Sequence, residues 1–231
     1  MPKEIVVAQD HRTRVAAGKR ERMRRRLVES AMLVFAEKGV DASVIDDVIA
    51  GADVSRGTFY RYFRTNAELL AATSEELAND LLTAIEERVG HFEDPAKRIA
   101  CGIRLYLYAA SKYPLLARFV SRAGFDVNSP GNRFNDYLPR HIAEGMELGR
   151  FRTMQLETAL DIIACAGLVS LFRLTAGETK PGYPEEIVAA ILRGLGVKEA
   201  RISALMSLPL EPLVLPADSL LERSHTRLSL P

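Results

Sequence analysis

Tryptophan is absent from this 231-residue chain, and aromatic residues make up only 7% of it. Runs of β-branched residues of the kind that strands favour are few, so the sequence leans toward helices. Cysteine is nearly absent as well: Cys101 and Cys165 lie inside apolar helical patterns without a C-x-x-C spacing. That gives no support to a disulfide scaffold and fits a reducing compartment. Residues 1–26 hold no apolar run of the length a secretory leader needs, and the most hydrophobic stretch, Ile162 to Phe172, is 11 uncharged residues between Asp161 and Arg173. Such a stretch is too short to span a bilayer, so a cytoplasmic protein with no membrane partner is expected. Enzyme signatures are missing too. The four histidines are isolated, and no G-x-S-x-G, H-E-x-x-H or phosphate-cradling loop occurs. Nothing supports an enzyme, and neither metal nor cofactor is expected.

What is present is the composition of an ordinary globular protein, 48% hydrophobic and 26% charged, with length for one large or two modest domains. The net charge of +1 hides an asymmetry. Residues 1–64 carry 13 basic and 9 acidic side chains, and the remainder carries 18 and 21. From Lys3 to Arg26, nine basic residues face three acids. A basic first segment ahead of an acidic remainder points to an anionic partner for the N-terminal part.

Residues 1–18 are polar and aperiodic and read as a flexible basic arm. From Lys19, the spacing of Leu27, Ala31, Val34 and Phe35 marks one face of a helix that ends at Lys38-Gly39, with glycine where a C-cap wants it. Ser43 with Asp46, Ser55, and Thr65 with Glu68 each signal a further helix start. Beyond, helices are expected at about 95–112, 114–123, 133–148, 155–176 and 184–206, punctuated by Pro95, Pro114 and Pro184, where a missing N–H costs little. Pro139 inside its segment predicts a kink or a later start. Residues 208–231, with four prolines and no clean period, read as a loosely ordered tail. The fold class is all-α. A three-helix N-terminal domain over 19–64 precedes a larger helical domain over 65–207.

The informative segment is Ser43 to Phe63. A short helix, a tight turn through Gly51, Ala52 and Asp53, and a second short helix with core residues Val54, Phe59 and Phe63 have the spacing of a helix-turn-helix. The second helix of that motif enters the major groove of duplex DNA. Arg56 suits guanine O6 and N7, the Thr58 methyl suits thymine, and Gly57 lets the backbone approach. Ser55 belongs to the same exposed edge, and the hydroxyls of Tyr60 and Tyr62 suit phosphates on the flanks. Arginines near the start of the first helix oppose its dipole, and phosphates would justify them.

These residues also carry a resemblance. The run Ala31-Met-Leu-Val-Phe-Ala-Glu-Lys-Gly39, then Val54-Ser-Arg-Gly-Thr-Phe-Tyr-Arg-Tyr-Phe63 and Glu68-Leu-Leu70, resembles the N-terminal domain of the TetR family of bacterial transcriptional regulators over about residues 19–72. The resemblance implies a homodimer whose paired helices read a palindromic operator, with Arg56, Gly57 and Thr58 on bases, Tyr60 and Tyr62 on phosphate or sugar, and Ser43 adding a phosphate contact. The family commonly has alanine at Ile49, glycine at Asp53 and lysine at Asn66. Asp53 falls where the turn wants positive φ, and Asn66, in place of a phosphate-seeking lysine at the start of the fourth helix, is counted with the DNA-contacting residues. The arm's arginines are expected to compensate.

The C-terminal two-thirds is similar to the family only in helical character and size. By that likeness a small-molecule effector binds there and relieves repression. Arg104, Tyr106, Tyr108, Phe119 and His141 are its expected neighbours, in and around an Ile99–Ala110 stretch apolar nearly all round. Helix 155–176, with Leu160, Ile163, Gly167, Leu168, Leu171 and Phe172, resembles the first of the two helices that form the family's dimeric four-helix bundle, and the second, starting at Pro184, would bring Ile187, Ile191 and Leu195.

Overall fold

The computed structural model describes residues 3–41, 44–124 and 134–229. Among them all regular structure is helical, in eleven α-helices. Helix α1 runs Lys3–Lys38, so the segment expected as an irregular arm is instead its first half. Neither glycine nor proline lies between Pro2 and Gly18, and Gly18 is carried inside the helix at a cost of about 1 kcal/mol relative to alanine. The second half supplies the core: Leu27, Val28, Ala31, Met32 and Phe35 are all buried. Gly39, in the left-handed region at φ 91°, ends the helix.

Helices α2 (Ile45–Gly51) and α3 (Arg56–Tyr60) sit against α1 through a close approach. The Ser30 hydroxyl donates to the Val48 carbonyl at 2.9 Å, and a Cβ on Gly51 would lie 2.5 Å from that oxygen. Arg26 donates to the Ala52 carbonyl at 2.5 Å, a cation at the C-terminal end of α2, where the helix dipole favours it. Asp53 at φ 49° is the one non-glycine residue with positive φ among the described residues, as the sequence predicts for that turn. The Ser55 side chain caps α3 by accepting from the Thr58 N–H at 3.1 Å. Phe59 and Phe63, both buried, anchor α3 from below.

Helix α4 (Asn66–Val89) leads from this small domain into the larger one. Thr65 caps it, accepting from Glu68 N at 3.1 Å, while the Glu68 carboxylate accepts from Arg64 N at 2.7 Å, one residue before the position a capping box would use. Helix α5 (Pro95–Lys112) is the axle of the larger domain. It packs against α4, α6 (Pro114–Ala123), α7 (Phe134–Glu147), α8 (Leu156–Ala176), α9 (Tyr183–Gly194) and α10 (Glu199–Met206), which explains why its sequence is apolar nearly all round. Helix α7 keeps Pro139 inside it. The single helix expected over 184–206 is two, because Gly196 at φ 85° turns the chain between α9 and α10. Helix α8 has the length and mean hydropathy, 1.7, to pass as a membrane span, yet it packs on α6, α7 and α9.

The end of the chain corrects the sequence reading most. Residues 208–219 do not hang loose: Leu213 and Leu215 are buried, and α11 (Leu220–Ser229) buries Leu220 and Leu221 completely against α1, α4 and α6. The prolines break periodicity without preventing burial of the leucines between them.

The left-handed residue makes the turn testable. Asp53→Ala is expected to cost about 1 kcal/mol in urea unfolding, since alanine has no polar side chain to ease that conformation, whereas Asp53→Gly is expected to cost nothing. The Arg26–Asp53 ion pair, 3.8 Å long on an exposed carboxylate, adds little to either outcome.

Candidate nucleic-acid interface and internal cavity

Helix α3 is too short to persist alone; it is held by Phe59, whose ring stands edge-on to Tyr60 with centroids 5.2 Å apart. This leaves Ser55, Arg56, Gly57, Tyr60 and Arg61 exposed along one edge, with Thr58 and Tyr62 half-buried. The Ser55 and Thr58 hydroxyls bond each other at 2.9 Å. A Cβ on Gly57 would meet nothing nearer than the Ser55 hydroxyl at 4.0 Å. Nothing inside the protein therefore calls for glycine there. Arg56 is ion-paired with Asp46 of α2, with both side chains largely exposed. Such a surface pair is weak, so it orders the guanidinium at the edge without holding it there.

Two expectations about this surface change. Asn66 turns inward: its amide donates to the Val40 carbonyl at 2.6 Å, and its Oδ1 is buried without a partner. It pins the α1–α2 connection and is not available to DNA. Several arginines expected to serve phosphates have work inside the protein. Arg24 pairs with Glu76 at 3.5 Å and lies 5.9 Å from the Phe63 ring centroid, Arg25 pairs with Glu21, and Arg26 caps α2. Lys19, Arg20, Arg22, Arg61 and Arg64 remain exposed. Ser43 lies outside the described residues.

The larger domain holds a partly open cavity of about 240 Å³ between α4, α5, α6, α7 and α8. Its walls are apolar, with Leu81, Ile85, Ile103, Phe119 and Leu171 among them; Glu86, Arg98, Tyr137 and His141 line it from the ends of α4, α5 and α7, and Ser74 lines it about three turns away along α4. Glu86 accepts from Arg140 at 2.8 Å and pairs with His141 Nε2 at 2.9 Å. Arg98, almost wholly buried, pairs with Glu144 at 2.6 Å and holds that carboxyl below its ordinary pKa. The His141 Nδ1 and Ser74 Oγ atoms are buried without partners. Burial alone pushes the Tyr106 phenol upward.

Of the expected pocket residues, Tyr106, Phe119 and His141 line the cavity; Arg104 and Tyr108 do not. Arg104 donates to the carbonyls of Leu205 and Leu208 at 3.2 and 3.0 Å and to the Tyr108 hydroxyl at 3.2 Å, and Tyr108 bonds Glu185. The two tie α5 to α9 and to the end of α10. Their spacing carries the distinction: Ile99, Gly102, Ile103 and Tyr106 share one helix face, and Arg104 and Tyr108 share another. Ser74, Glu86, Arg98 and Tyr137 line the cavity without having been singled out from the sequence.

Residues 27–73 match the family model described as bacterial regulatory proteins, tetR family. That N-terminal segment is of the tetR type. The uncharacterized HTH-type regulator YvdT of Bacillus subtilis is 35% identical over 69 residues, 30% of this chain and 36% of that protein. The HTH-type transcriptional repressor LfrR of Mycolicibacterium smegmatis is 36% identical over 81 residues, 35% and 41% of the respective chains. These matches thus span well under half the length of the curated relatives. Among solved structures, RolR in complex with resorcinol is 27% identical with a TM-score of 0.58, covering 86% of this chain and all of that one. Both curated relatives are named as transcriptional regulators.

The residues expected at a subunit interface divide into two groups. Ile163, Leu171, Ile191 and Leu195 are buried within the protomer, and Ile163, Gly167, Leu168 and Leu171 line the cavity. Leu160 and Ile187 are half-buried. Phe172, also expected there, is exposed, and the open apolar stripe of α8 runs through it with Cys165 and Val169; Val169 and Phe172 are more than half exposed, and the three are spaced i, i+4, i+7 on one face. A broadly apolar helix has more than one apolar face, and hydrophobicity alone does not say which looks inward.

The buried cation at the cavity makes an asymmetric prediction. Glu144→Ala, which strands Arg98, is expected to lower the urea midpoint more than Arg98→Met, which removes the charge and keeps the volume. Because Glu144 is held below its ordinary pKa, the pair stabilises fully above the unfolded-state value of ~4.3. That contribution fades as pH falls through the lower folded value, which unfolding curves against pH would show.

Proposed function

We propose that this protein is a homodimeric repressor that occupies a palindromic operator through α3 and is released when a small molecule enters the cavity. The observation that carries the DNA part is the free edge of α3, where Gly57 answers no internal need and Arg56 is held only by an exposed ion pair. Arg56 reads a guanine, the Thr58 methyl and Ser55 lie over neighbouring bases, and Tyr60 and Tyr62 take flanking phosphates. LfrR, similar over this segment, is named a repressor. The Cys165–Val169–Phe172 stripe of α8 and the half-buried Leu160 and Ile187 beside it supply the dimer face. A second copy there sets the reading helices about one helical turn, ~34 Å, apart.

The cavity's own chemistry limits the effector. A 150 Å³ apolar cavity holds a benzene-sized guest, so about 240 Å³ suits a single substituted ring or a small fused one. The charges around the polar end are matched, Glu86 with Arg140 and Glu144 with Arg98, leaving no surplus for an ion. The His141 Nδ1 atom, buried without a partner, is open to a ligand's hydrogen bond at that end, and the Ser74 hydroxyl is open to one about three turns away along α4. The fitting ligand is uncharged, cyclic and hydroxylated. RolR, similar over most of the chain, was crystallised with resorcinol. Ligand favours the dimer in which the reading helices no longer match the half-sites.

Binding to the DNA upstream of the protein's own coding sequence tests the first part. A sequence-specific shift that weakens steeply with salt is expected, and its absence overturns the reading. Arg56→Ala should cost roughly 1–3 kcal/mol on that operator with little change on random DNA; equal loss on both reassigns Arg56 to phosphate. For the cavity, resorcinol and phenol are expected to raise the melting temperature and release the operator, with toluene and benzoate doing less. A stronger effect from benzoate overturns the neutral, hydroxylated class.

A further inference from the structure

Residues 210–229 contribute to neither the reading edge nor the cavity, yet they touch both halves of the molecule. The segment is fastened at its start by Arg88, which bonds Glu211 at 3.2 Å and the Pro212 carbonyl at 3.4 Å. Leu213 and Leu215 are then buried. Helix α11 is capped twice: the Ser219 hydroxyl accepts from Glu222 N at 3.3 Å, and the Asp80 carboxylate of α4 accepts from Leu220 N at 2.8 Å. Burial of Asp80 pushes its carboxyl upward, and the Leu220 N–H works against that shift.

From there α11 reaches three elements at once. Glu222 accepts from the Tyr113 hydroxyl at the head of α6, and His225 stands edge-on to the same ring at 5.5 Å. Arg223 lies between Glu76 of α4 at 2.9 Å and Glu29 of α1 at 3.6 Å. One turn further, Arg227 pairs with Glu29 at 3.4 Å and donates to the carbonyl of Gly51, the last residue of α2. Arg227 therefore joins Arg26 in holding the C-terminal carbonyls of α2, immediately before the turn that aims α3. At the other end, Tyr113 begins the helix whose Leu116, Phe119 and Val120 line the cavity.

We propose that α11 is a strap that couples the cavity to the reading head, fixing the position of α2 and α3 through Arg227 according to the placement of α6 sensed through Tyr113. A shift of α6 when the cavity fills moves Tyr113, hence Glu222 and His225. The rigid two turns of α11 carry the shift to Arg227 and to Gly51. This coupling role rests on the regulator reading, but the strap itself does not. Its mechanical part is a statement about which bonds hold α2 in place.

Hydrogen exchange on the full chain tests it without DNA or ligand. Arg227→Ala removes a side chain that is 40% exposed, so the fold survives. It is expected to speed exchange of the amides from Val48 to Val54 about tenfold or more, leaving α8 and α9 unchanged. Tyr113→Phe, which keeps the ring and removes the hydroxyl, is expected to speed the same amides by a smaller factor. Unchanged exchange at 48–54 in Arg227→Ala overturns the strap, and a response to Arg227→Ala with none to Tyr113→Phe overturns its link to the cavity. On DNA the expected result is a several-fold loss of operator affinity in Arg227→Ala. If the unaltered chain binds no operator, the regulator reading fails and the exchange result still decides the strap.

Discussion

Phe35 of α1 and Phe119 of α6 meet with ring centroids 6.3 Å apart, both fully buried, and the rest of the molecule is arranged around that contact. Phe35 belongs to the apolar face that holds α2 and α3. Phe119 belongs to the wall of the cavity. Buried aromatic pairs have few alternative arrangements at native packing density, so the two domains cannot slide past each other without one ring leaving its place. A change in the cavity wall is therefore a change in the support of the reading head, whatever its cause. The larger domain keeps its axle, α5, away from this contact and surrounds it with α7 to α10. Helix α6 thus faces both ways, packed on α1 on one side and on α5 and α8 on the other.

The helix-turn-helix was legible because its information is local. Caps at Ser55 and Thr65, positive φ at Asp53 and the Phe59/Phe63 spacing are each fixed by residues a few positions apart. Most helix bounds in the larger domain were legible for the same reason, with Pro95 and Pro114 marking starts. Which face of an apolar helix looks where was not. Ile163 and Leu171 read as partner-facing and are buried, while Cys165 and Val169, hardly distinguishable by hydrophobicity, are open. That choice is made by elements far away in sequence. Arg104 shows the same limit for a charged residue: its partners are the carbonyls of Leu205 and Leu208, about a hundred positions on, and no local pattern announces them.

The tail was a different case, since a signal was there. Ser219-Leu-Leu-Glu222 has the capping-box spacing, and it opens α11. Four prolines around it suggested disorder, but proline restricts the chain without exposing it, and leucines at 213, 215, 220 and 221 supply apolar surface that a solvated tail would not need. Composition outweighed a cap that should have been read first.

The charge asymmetry also acquires a different meaning. The surplus of the first 64 residues looked like a reserve for phosphates, and part of it does stay exposed. Arg24 and Arg26 of α1, joined by Arg223 and Arg227 of α11, instead form a lattice with Glu29, Glu76 and the carbonyls ending α2. Half-buried groups in such a network are screened less by salt than a surface pair is. The exposed Lys19, Arg20, Arg22, Arg61 and Arg64, by contrast, are open to counterions. The same residue type thus does two jobs that ionic strength separates. Raising salt weakens the hold on an anionic partner long before it loosens the joint that aims α3.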